Sequence, residues 1–168
     1  MKSLRPLLLA IMAATVLLTG TARAGVLYTL RPGTSFGQGC VGPCMCPILM
    51  SDNVNGIFVL SKVQTDPLYT SYSISRIFWT VTDGDRDVIH RITGKGSYKV
   101  GGEVAVTQQL ILDLSIDGGE PQHLDSGLIP GGSDFPVISV SVDRGTECYD
   151  IWMEIDAAPA KMKDQQLD

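Results

Sequence analysis

The chain has 168 residues, with 13 lysines and arginines, 18 aspartates and glutamates, and a formal net charge of −5 at pH 7. This length suits one globular domain with a proper hydrophobic core. The acidic balance and the lack of a Lys/Arg run exclude an electrostatic footprint for nucleic acid or for an anionic membrane.

The N-terminal segment, residues 1–24, has the three parts of a signal peptide. Lys2 and Arg5 supply positive charge, Leu7–Leu18 is apolar, and Ala22-Arg23-Ala24 is a small-x-small cleavage site. The apolar run is short for a bilayer span, so a retained anchor is the less favoured alternative. We therefore predict export to the periplasm or the extracellular medium, with no membrane span after cleavage.

The mature chain is predicted to consist of strands and turns, in a single domain over residues 25–156 followed by a polar flexible tail over 157–168. Short apolar stretches rich in Val, Ile, Tyr and Thr are separated by Gly and Asp, and no window has a convincing helical period. The segments Arg31–Asn55 and Leu128–Asp134 are predicted to be irregular. The predicted strands, in chain order, are Val26–Leu30, Gly56–Val63, Tyr69–Thr82, Asp87–Thr93, Lys95–Val100, Glu103–Asp117, Gln122–Leu128, Phe135–Asp143 and Glu147–Asp156.

Alternation of apolar and polar residues predicts which strand faces are buried. In Tyr69–Thr82 the alternation changes phase midway, and a bulge near Ser75-Arg76 would restore a common face. Glu103–Asp117 has the clearest alternation, and one face of this strand is expected to be buried. The apolar residues on that face are Val104, Val106, Leu110, Leu112, Leu114 and Ile116.

Short turn-like connections between successive strands predict an all-β fold built as an antiparallel meander. Long strands in a meander favour a closed barrel or a sandwich, because either arrangement hides the strand edges. The spacing of the strands does not choose between the two. Disulfides are expected to staple the loop that follows the first strand.

Four cysteines follow the predicted signal peptide, and three of them are Cys40, Cys44 and Cys46. An even number of cysteines in an exported chain predicts two disulfides. A Cys44–Cys46 bond would close a strained ring, which leaves 40–44 with 46–148 or 40–46 with 44–148. Either pairing ties the cysteine loop to the last strand at Cys148.

Two metal sites and a redox centre are less favoured alternatives. The cysteines with Met45 and Met50 would suit Cu(I), or two of them could form a redox dithiol, but no histidine or thioredoxin-like pattern accompanies them. Asp83, Asp85 and Asp87 alternate like the ligands of a calcium loop. The later positions of that motif do not match, so a polar hairpin tip is the favoured interpretation.

The remaining polar residues do not form a catalytic set. Gly33–Gly37 fits the G-x-S-x-G pattern, but no helix is predicted after it. His90 is predicted to point inward as a hydrogen-bonded residue, and His123 lies in a turn-like stretch with no assembled triad. Gln108 interrupts an apolar face, either to orient a ligand inside a barrel or, as favoured, because it lies near the rim. We predict no catalytic, cofactor-binding or metal-binding residue.

Two segments resemble the YceI-like proteins. Tyr28-Thr29-Leu30-Arg31-Pro32 is similar to their opening Tyr-x-Leu-Asp-Pro, and Phe135-Pro136-Val137-Ile138 is similar to a later Phe-Pro-x-Ile. That resemblance implies an exported, lipocalin-like barrel that binds isoprenoid chains. Arg31 replaces the acidic residue of that motif, no histidine follows Pro32, and the cysteine cluster is foreign to the family. The C-x-x-P-C-x-C-P cluster with the late cysteine is more similar to a group of uncharacterised exported bacterial proteins.

These observations predict an exported, disulfide-stabilised β-domain that acts as a non-catalytic structural or interaction module. Its partner would be a protein or an apolar small molecule, and no cofactor is expected. The alternative is a YceI-like barrel that binds a lipid or isoprenoid ligand.

Overall fold

The computed structural model describes residues 25–40, 44, 49–84 and 87–161. The predicted signal peptide and residues 162–168 of the predicted tail lie outside the described residues. Within the described ranges, no helix is long and apolar enough to cross a membrane.

The described part of the chain contains ten strands and no helix. The strands are β1 (Val26–Leu30), β2 (Ser35–Cys40), β3 (Leu49–Thr65), β4 (Tyr69–Thr82), β5 (Val88–Gly101), β6 (Thr107–Ile116), β7 (Gln122–Asp125), β8 (Ile129–Pro130), β9 (Ile138–Asp143) and β10 (Tyr149–Pro159).

All ten strands belong to one antiparallel sheet that closes on itself. Strands β3 to β7 pair in chain order, as a meander. β7 meets β9 at the single pair Asp125↔Asp143, and β9 pairs with β10. β10 then pairs with both β1 and β2, which pair in turn with β3, so the strand pairings form a ring. The predicted all-β antiparallel fold is confirmed.

Apolar side chains fill the inside of this ring. Alternate residues are buried in β6, in β9 and, from Ile151 onward, in β10, so the alternation predicted for Glu103–Asp117 is confirmed along β6. The buried apolar residues of these three strands are Leu110, Leu112, Leu114, Ile138, Val140, Val142, Ile151, Met153, Ile155 and Ala157. β10 continues to Pro159, three residues beyond the end expected from the sequence.

The segment Arg31–Asn55 was expected to be irregular, and the structure corrects this prediction. β2 occupies Ser35–Cys40 and β3 begins at Leu49. β2 is rich in glycine, which lowers its strand propensity. A Cβ at Gly37 would lie 2.1 Å from Cε2 of Trp152 on the neighbouring β10, so glycine lets the indole ring cover the strand.

A further difference from the prediction concerns β5. β5 is one continuous strand through Gly94, where a turn was expected. A Cβ at Gly94 would lie 2.2 Å from the carbonyl oxygen of Asp113, so this glycine permits close strand pairing rather than a turn. The bulge in β4 is confirmed, because the register shifts between Ile74 and Ile77 and Arg76 has a φ of 53°.

β6 begins four residues later than the predicted start at Glu103. The strand begins at Thr107, and the residues before it form the β5–β6 connection. Val104 is 99% exposed and Val106 is also exposed, although both were expected on the buried face. The apolar–polar alternation of the sequence extends to residues before the start of β6, but those residues are not in the strand. Gly101 and Gly102 have positive φ values and turn the chain before Val104.

The closed sheet has two distinct ends. The apical end carries the β3–β4 and β5–β6 connections, the segment between β7 and β9, and the start of β1. The basal end carries the β4–β5, β6–β7 and β9–β10 connections. Cys148 lies in the β9–β10 connection, so the disulfide chemistry belongs to the basal end.

We predict that inward-facing apolar residues stabilise the fold far more than exposed ones do. Leu112 is 0% exposed, so Leu112→Ala should lower the free energy of unfolding by about 2–5 kcal/mol. Val104→Ala is the matched control and should change the free energy by less than about 0.5 kcal/mol. Urea denaturation followed by tryptophan fluorescence measures both variants, and equal effects would contradict the assignment of the core.

Candidate functional site

The cysteines form a basal clamp. Cys44 is bonded to Cys148 across a sequence separation of 104 residues. Cys40 is also disulfide-bonded, and Cys46 lies outside the described residues. The long bridge therefore matches the second predicted pairing and excludes a 46–148 bond. No cysteine in the described ranges is free, and no three His, Cys, Asp or Glu side chains there are placed to hold a metal ion.

A second set of interactions fixes the hairpin that carries Cys148. Arg144 donates hydrogen bonds to the hydroxyl of Thr146, at 3.1 Å, and to the carbonyl of Tyr149. The side chain of Asp150 is 6% exposed and accepts hydrogen bonds from Thr146, at 3.2 Å, and from the N–H of Ile151, at 2.7 Å. The charges of Arg144 and Asp150 lie 3.9 Å apart. Arg144 also donates to the amide oxygen of Gln122, at 3.2 Å, so the cluster ties the hairpin to the neighbouring β7, and we assign it a structural role.

Six aromatic side chains pack inside the closed sheet or at its apical opening. The rings of Tyr28 and Phe58 stack with centroids 5.2 Å apart, and Trp79 meets Phe58 edge-on. Nearer the apical end, Phe135 stacks on Tyr98 at 5.9 Å. Phe135 also contacts the half-buried Tyr72, at 5.1 Å. Phe135 belongs to the segment before β9, so this apical segment covers the aromatic interior.

Gln108 lies near the rim of the closed sheet, which is the interpretation that the sequence favoured. It is the second residue of β6, beside a cleft of about 270 Å³ formed with the Pro130–Asp134 segment. Its side chain is nevertheless only 5% exposed. Its amide oxygen accepts a hydrogen bond from Tyr98, at 2.9 Å, and its amide nitrogen donates to the carbonyl of Ser139, at 3.0 Å. The protein itself therefore uses both polar atoms of Gln108.

Both histidines pair with aspartates. Nδ1 of His90 lies 2.6 Å from Asp117, and Nδ1 of His123 lies 2.8 Å from Asp113. Hydrogen bonds from the N–H of Arg91 and from His90 hold the pKa of Asp117 below its usual value. His90 is partly buried. In the described residues no hydroxyl group is hydrogen-bonded to either imidazole, so neither pair is extended to a nucleophile.

The structure describes part of the Asp83–Asp87 motif and all of the Gly33–Gly37 motif. Asp83 closes the β4–β5 turn, because its carboxylate accepts a hydrogen bond from the N–H of Asp87, at 3.1 Å. Asp85 lies outside the described residues, so the predicted hairpin tip and the calcium alternative stay as predictions. Ser35 of the G-x-S-x-G pattern is the first residue of strand β2, and a strand rather than a helix follows it.

Two larger clefts lie away from the aromatic interior. One of about 390 Å³ is lined mostly by polar residues of the Pro32–Thr34, Asn53–Asn55 and Thr82–Gly84 segments. The other, of about 400 Å³, lies over β5 and β6 and is lined by Lys95, Asp113 and neighbouring residues. Both volumes lie in the range of ligand sites, but the first cleft has a more polar lining than is typical of such sites, and the second is an open depression on the surface.

The apical end carries exposed apolar residues that were not expected from the sequence. Leu68, Val104, Val106 and Leu128 all point into solvent from connections between strands. The Gly101-Gly102 pair is the local pattern that could have revealed this group, because it predicts a turn just before Val104.

Comparison of the chain with protein-family models, curated proteins and solved structures finds no match.

We predict that the Cys44–Cys148 bond supplies a large part of the stability. The double variant Cys44→Ser/Cys148→Ser avoids a lone thiol and should lower the free energy of unfolding by about 4–5 kcal/mol, the chain-entropy value for a loop of about one hundred residues. Urea denaturation without reductant measures the loss. A loss below about 1 kcal/mol would instead assign the stability of the hairpin to Arg144 and Asp150. Thiol titration of the unfolded, oxidised wild type should detect no free thiol.

We predict alkaline unfolding driven by buried tyrosines. Burial, assisted by the nearby Tyr72, raises the pKa of Tyr28 from 10.0 to about 12, and burial also raises the pKa of Tyr98. The buried phenols stabilise the folded state only while they are protonated. Their contribution to the free energy of unfolding is therefore complete below pH 10 and is lost as the pH rises toward 12. Phenolate absorbance and circular dichroism should therefore change together at the end of the titration. Ionisation of all five tyrosines before any loss of dichroism would contradict this prediction.

Proposed function

We propose that the protein is an exported, disulfide-stabilised and non-catalytic interaction module. The observation that supports this proposal is the filled interior of the closed sheet. The aromatic groups around Phe58 and Tyr98 and the aliphatic residues of β6, β9 and β10 occupy the space in which a barrel would hold a ligand. Partners would then meet the protein at its outer surface.

The disulfide supports export. Disulfides persist outside the reducing cytosol, and the Cys44–Cys148 bond follows a segment with the three parts of a signal peptide. The protein would therefore act in the periplasm or the extracellular medium. A module with a basal clamp keeps its fold there without cofactors.

The polar side chains support a non-catalytic role. A catalytic histidine needs a nucleophile or a substrate proton within hydrogen-bond reach. His90 and His123 are each bonded to an aspartate, and no hydroxyl of the described residues reaches either ring. The amide of Gln108 is hydrogen-bonded to the hydroxyl of Tyr98 and to the carbonyl of Ser139, so its polar atoms are also used within the protein.

A barrel that carries an apolar ligand is the second candidate, favoured by one observation. Phe135 covers the aromatic interior from a segment that connects strands, so movement of this segment would expose Tyr72 and Tyr98. A lipid or isoprenoid chain could then replace the ring of Phe135. This is the function that the YceI-like segments imply.

Mass spectrometry of the oxidised protein under native conditions, followed by organic extraction, distinguishes the two candidates. The interaction module should have the mass of the polypeptide alone and release no stoichiometric apolar compound. Phe135→Ala should lower stability through the cavity it creates, without conferring saturable binding of a fluorescent fatty acid. A bound lipid in the wild type, or one-to-one binding of the fatty acid, would overturn the proposed function and support the carrier.

A further inference from the structure

The closed sheet has a seam, the line between β9 and the strands β7 and β8, at which backbone pairing is sparse. β7 and β9 pair only at Asp125↔Asp143, whereas β9 and β10 pair over the whole length of β9. β8 pairs with β6 and with no other described strand. On the apical side of Asp143, therefore, no strand in the described part of the chain pairs with the seam side of β9.

The backbone groups of Ser139 and Ser141 face this seam. The N–H of Arg144 donates to the carbonyl of Ile151 on β10, at 3.0 Å. In an antiparallel pair, every second residue directs both its N–H and its C=O to the same neighbouring strand. Every second residue of β9 from Val142 backward therefore faces β10, and Ser139 and Ser141 face away from it. β9 thus presents a short row of backbone donors and acceptors at the seam.

The side chain of Gln108 stands at the seam where a strand would otherwise lie. A carboxamide has the same donor and acceptor groups as a peptide bond. Gln108 donates to the carbonyl of Ser139, at 3.0 Å, and accepts from the hydroxyl of Tyr98, at 2.9 Å. One carbonyl of the open edge is thus bonded to a side chain that mimics a backbone amide.

The cleft beside Gln108 suits a segment of chain better than a compact ligand. Its volume is about 270 Å³, and it lies between Ser139 on one side and Pro130–Asp134 on the other. Small-molecule pockets usually have a volume of roughly 300–1,000 Å³. Pro130 has no N–H to offer a strand, so an added segment would be held mainly by β9.

The charges at the seam favour a basic partner. Asp125 and Asp143 lie directly opposite each other, and like charges in this position destabilise a sheet. In the described ranges, none of the carboxylates at the seam forms an ion pair, and the nearby Arg144 is already paired with Asp150. A second copy of this chain, with a net charge of −5, would add to the repulsion. The carboxylates at the seam are Asp125, Asp134, Asp143 and Glu154.

We propose that the seam side of β9 binds an extended, basic segment of another polypeptide, which adds to the sheet as a strand. The proposal rests on the proposed function and names the class of partner of the module. Backbone hydrogen bonds to Ser139 and Ser141 would provide affinity, and the bond from Gln108 to Ser139 would be exchanged for one of them. Alternate side chains of the segment would point outward, toward the carboxylates.

A synthetic peptide tests the proposal directly. The probe is a fluorescein-labelled, C-terminally amidated octapeptide of alternating valine and lysine, mixed with the oxidised protein. Fluorescence anisotropy should show saturable, one-to-one binding that weakens as salt is added, because charges contribute to it. The same peptide with all its backbone amides N-methylated keeps its charges but loses its main-chain donors, so it should bind about tenfold more weakly or less. An octapeptide of alternating valine and glutamate should not bind.

Variants of the protein localise the contact. Ser141→Pro removes an N–H that faces the seam and leaves the pairing with β10 in place, so it should weaken peptide binding about tenfold. Asp143→Asn should weaken binding about threefold or more, because it removes a charge at the seam. Asp52→Asn is its matched control, since Asp52 lies on β3, which β10 and β2 separate from β9. Circular dichroism and urea denaturation verify that the variants are folded.

Each outcome decides the proposal. Binding that is lost on N-methylation and in Ser141→Pro, and kept in Asp52→Asn, supports strand addition. If Ser141→Pro does not fold, the N-methylated peptide decides alone. Failure of the wild type to bind the peptide, or binding that N-methylation leaves unchanged, overturns strand addition while the interaction module stands. Dimers of the wild type that Ser141→Pro disrupts would make a second copy the occupant and would also overturn it. An extractable internal ligand would overturn the proposed function instead.

Discussion

Closure of the sheet depends on β10, which pairs with β9 on one side and with both β1 and β2 on the other. The backbone pairing with β10 is interrupted between β1 and β2, and the side chain of Thr34 supplies the hydrogen bonds at that point. Its buried hydroxyl donates to the carbonyl of Asp156, at 2.9 Å, and accepts from the N–H of the same residue, at 3.0 Å. Unpaired backbone groups inside a sheet are costly, so one side chain takes the place of a missing strand residue.

Alternation in the sequence predicts a strand well where one face is wet, and poorly elsewhere. β6, β9 and β10 were recognised because polar residues separate their buried ones. β2 was not predicted, because its glycines lower its strand propensity. Gly37 leaves room for the ring of Trp152, a residue too far along the sequence for a local pattern to reveal the contact. Disulfides were predicted from the cysteine count, and those of Cys40, Cys44 and Cys148 are confirmed, but the pairing depends on which sulfur meets Cys148 in three dimensions. Val104 was placed inside because periodicity has no means of detecting where a strand ends.

The two ends of the sheet contain different kinds of interaction. Covalent and charged interactions are concentrated at the basal end, where Cys44 meets Cys148 and Arg144 meets Asp150. The apical end has a hydrogen-bonded backbone with aliphatic side chains directed into solvent. A cross-linked basal end and an apolar apical end suit a domain that presents one end to a partner. Because the backbone is already ordered, little conformational entropy is lost when the partner binds.

The pairing of β10 with β1 and β2 also governs when the protein can fold. Thr34 and Asp156 are 122 residues apart, so the earliest strands must wait for almost the whole chain to be synthesised. Until β10 arrives, β1, β2 and β9 each keep an open edge, and open edges recruit other chains. Closure is therefore a single late event dominated by distant contacts, which makes folding slow. A polypeptide of this topology can pass through a narrow channel unfolded and complete its sheet only on the far side.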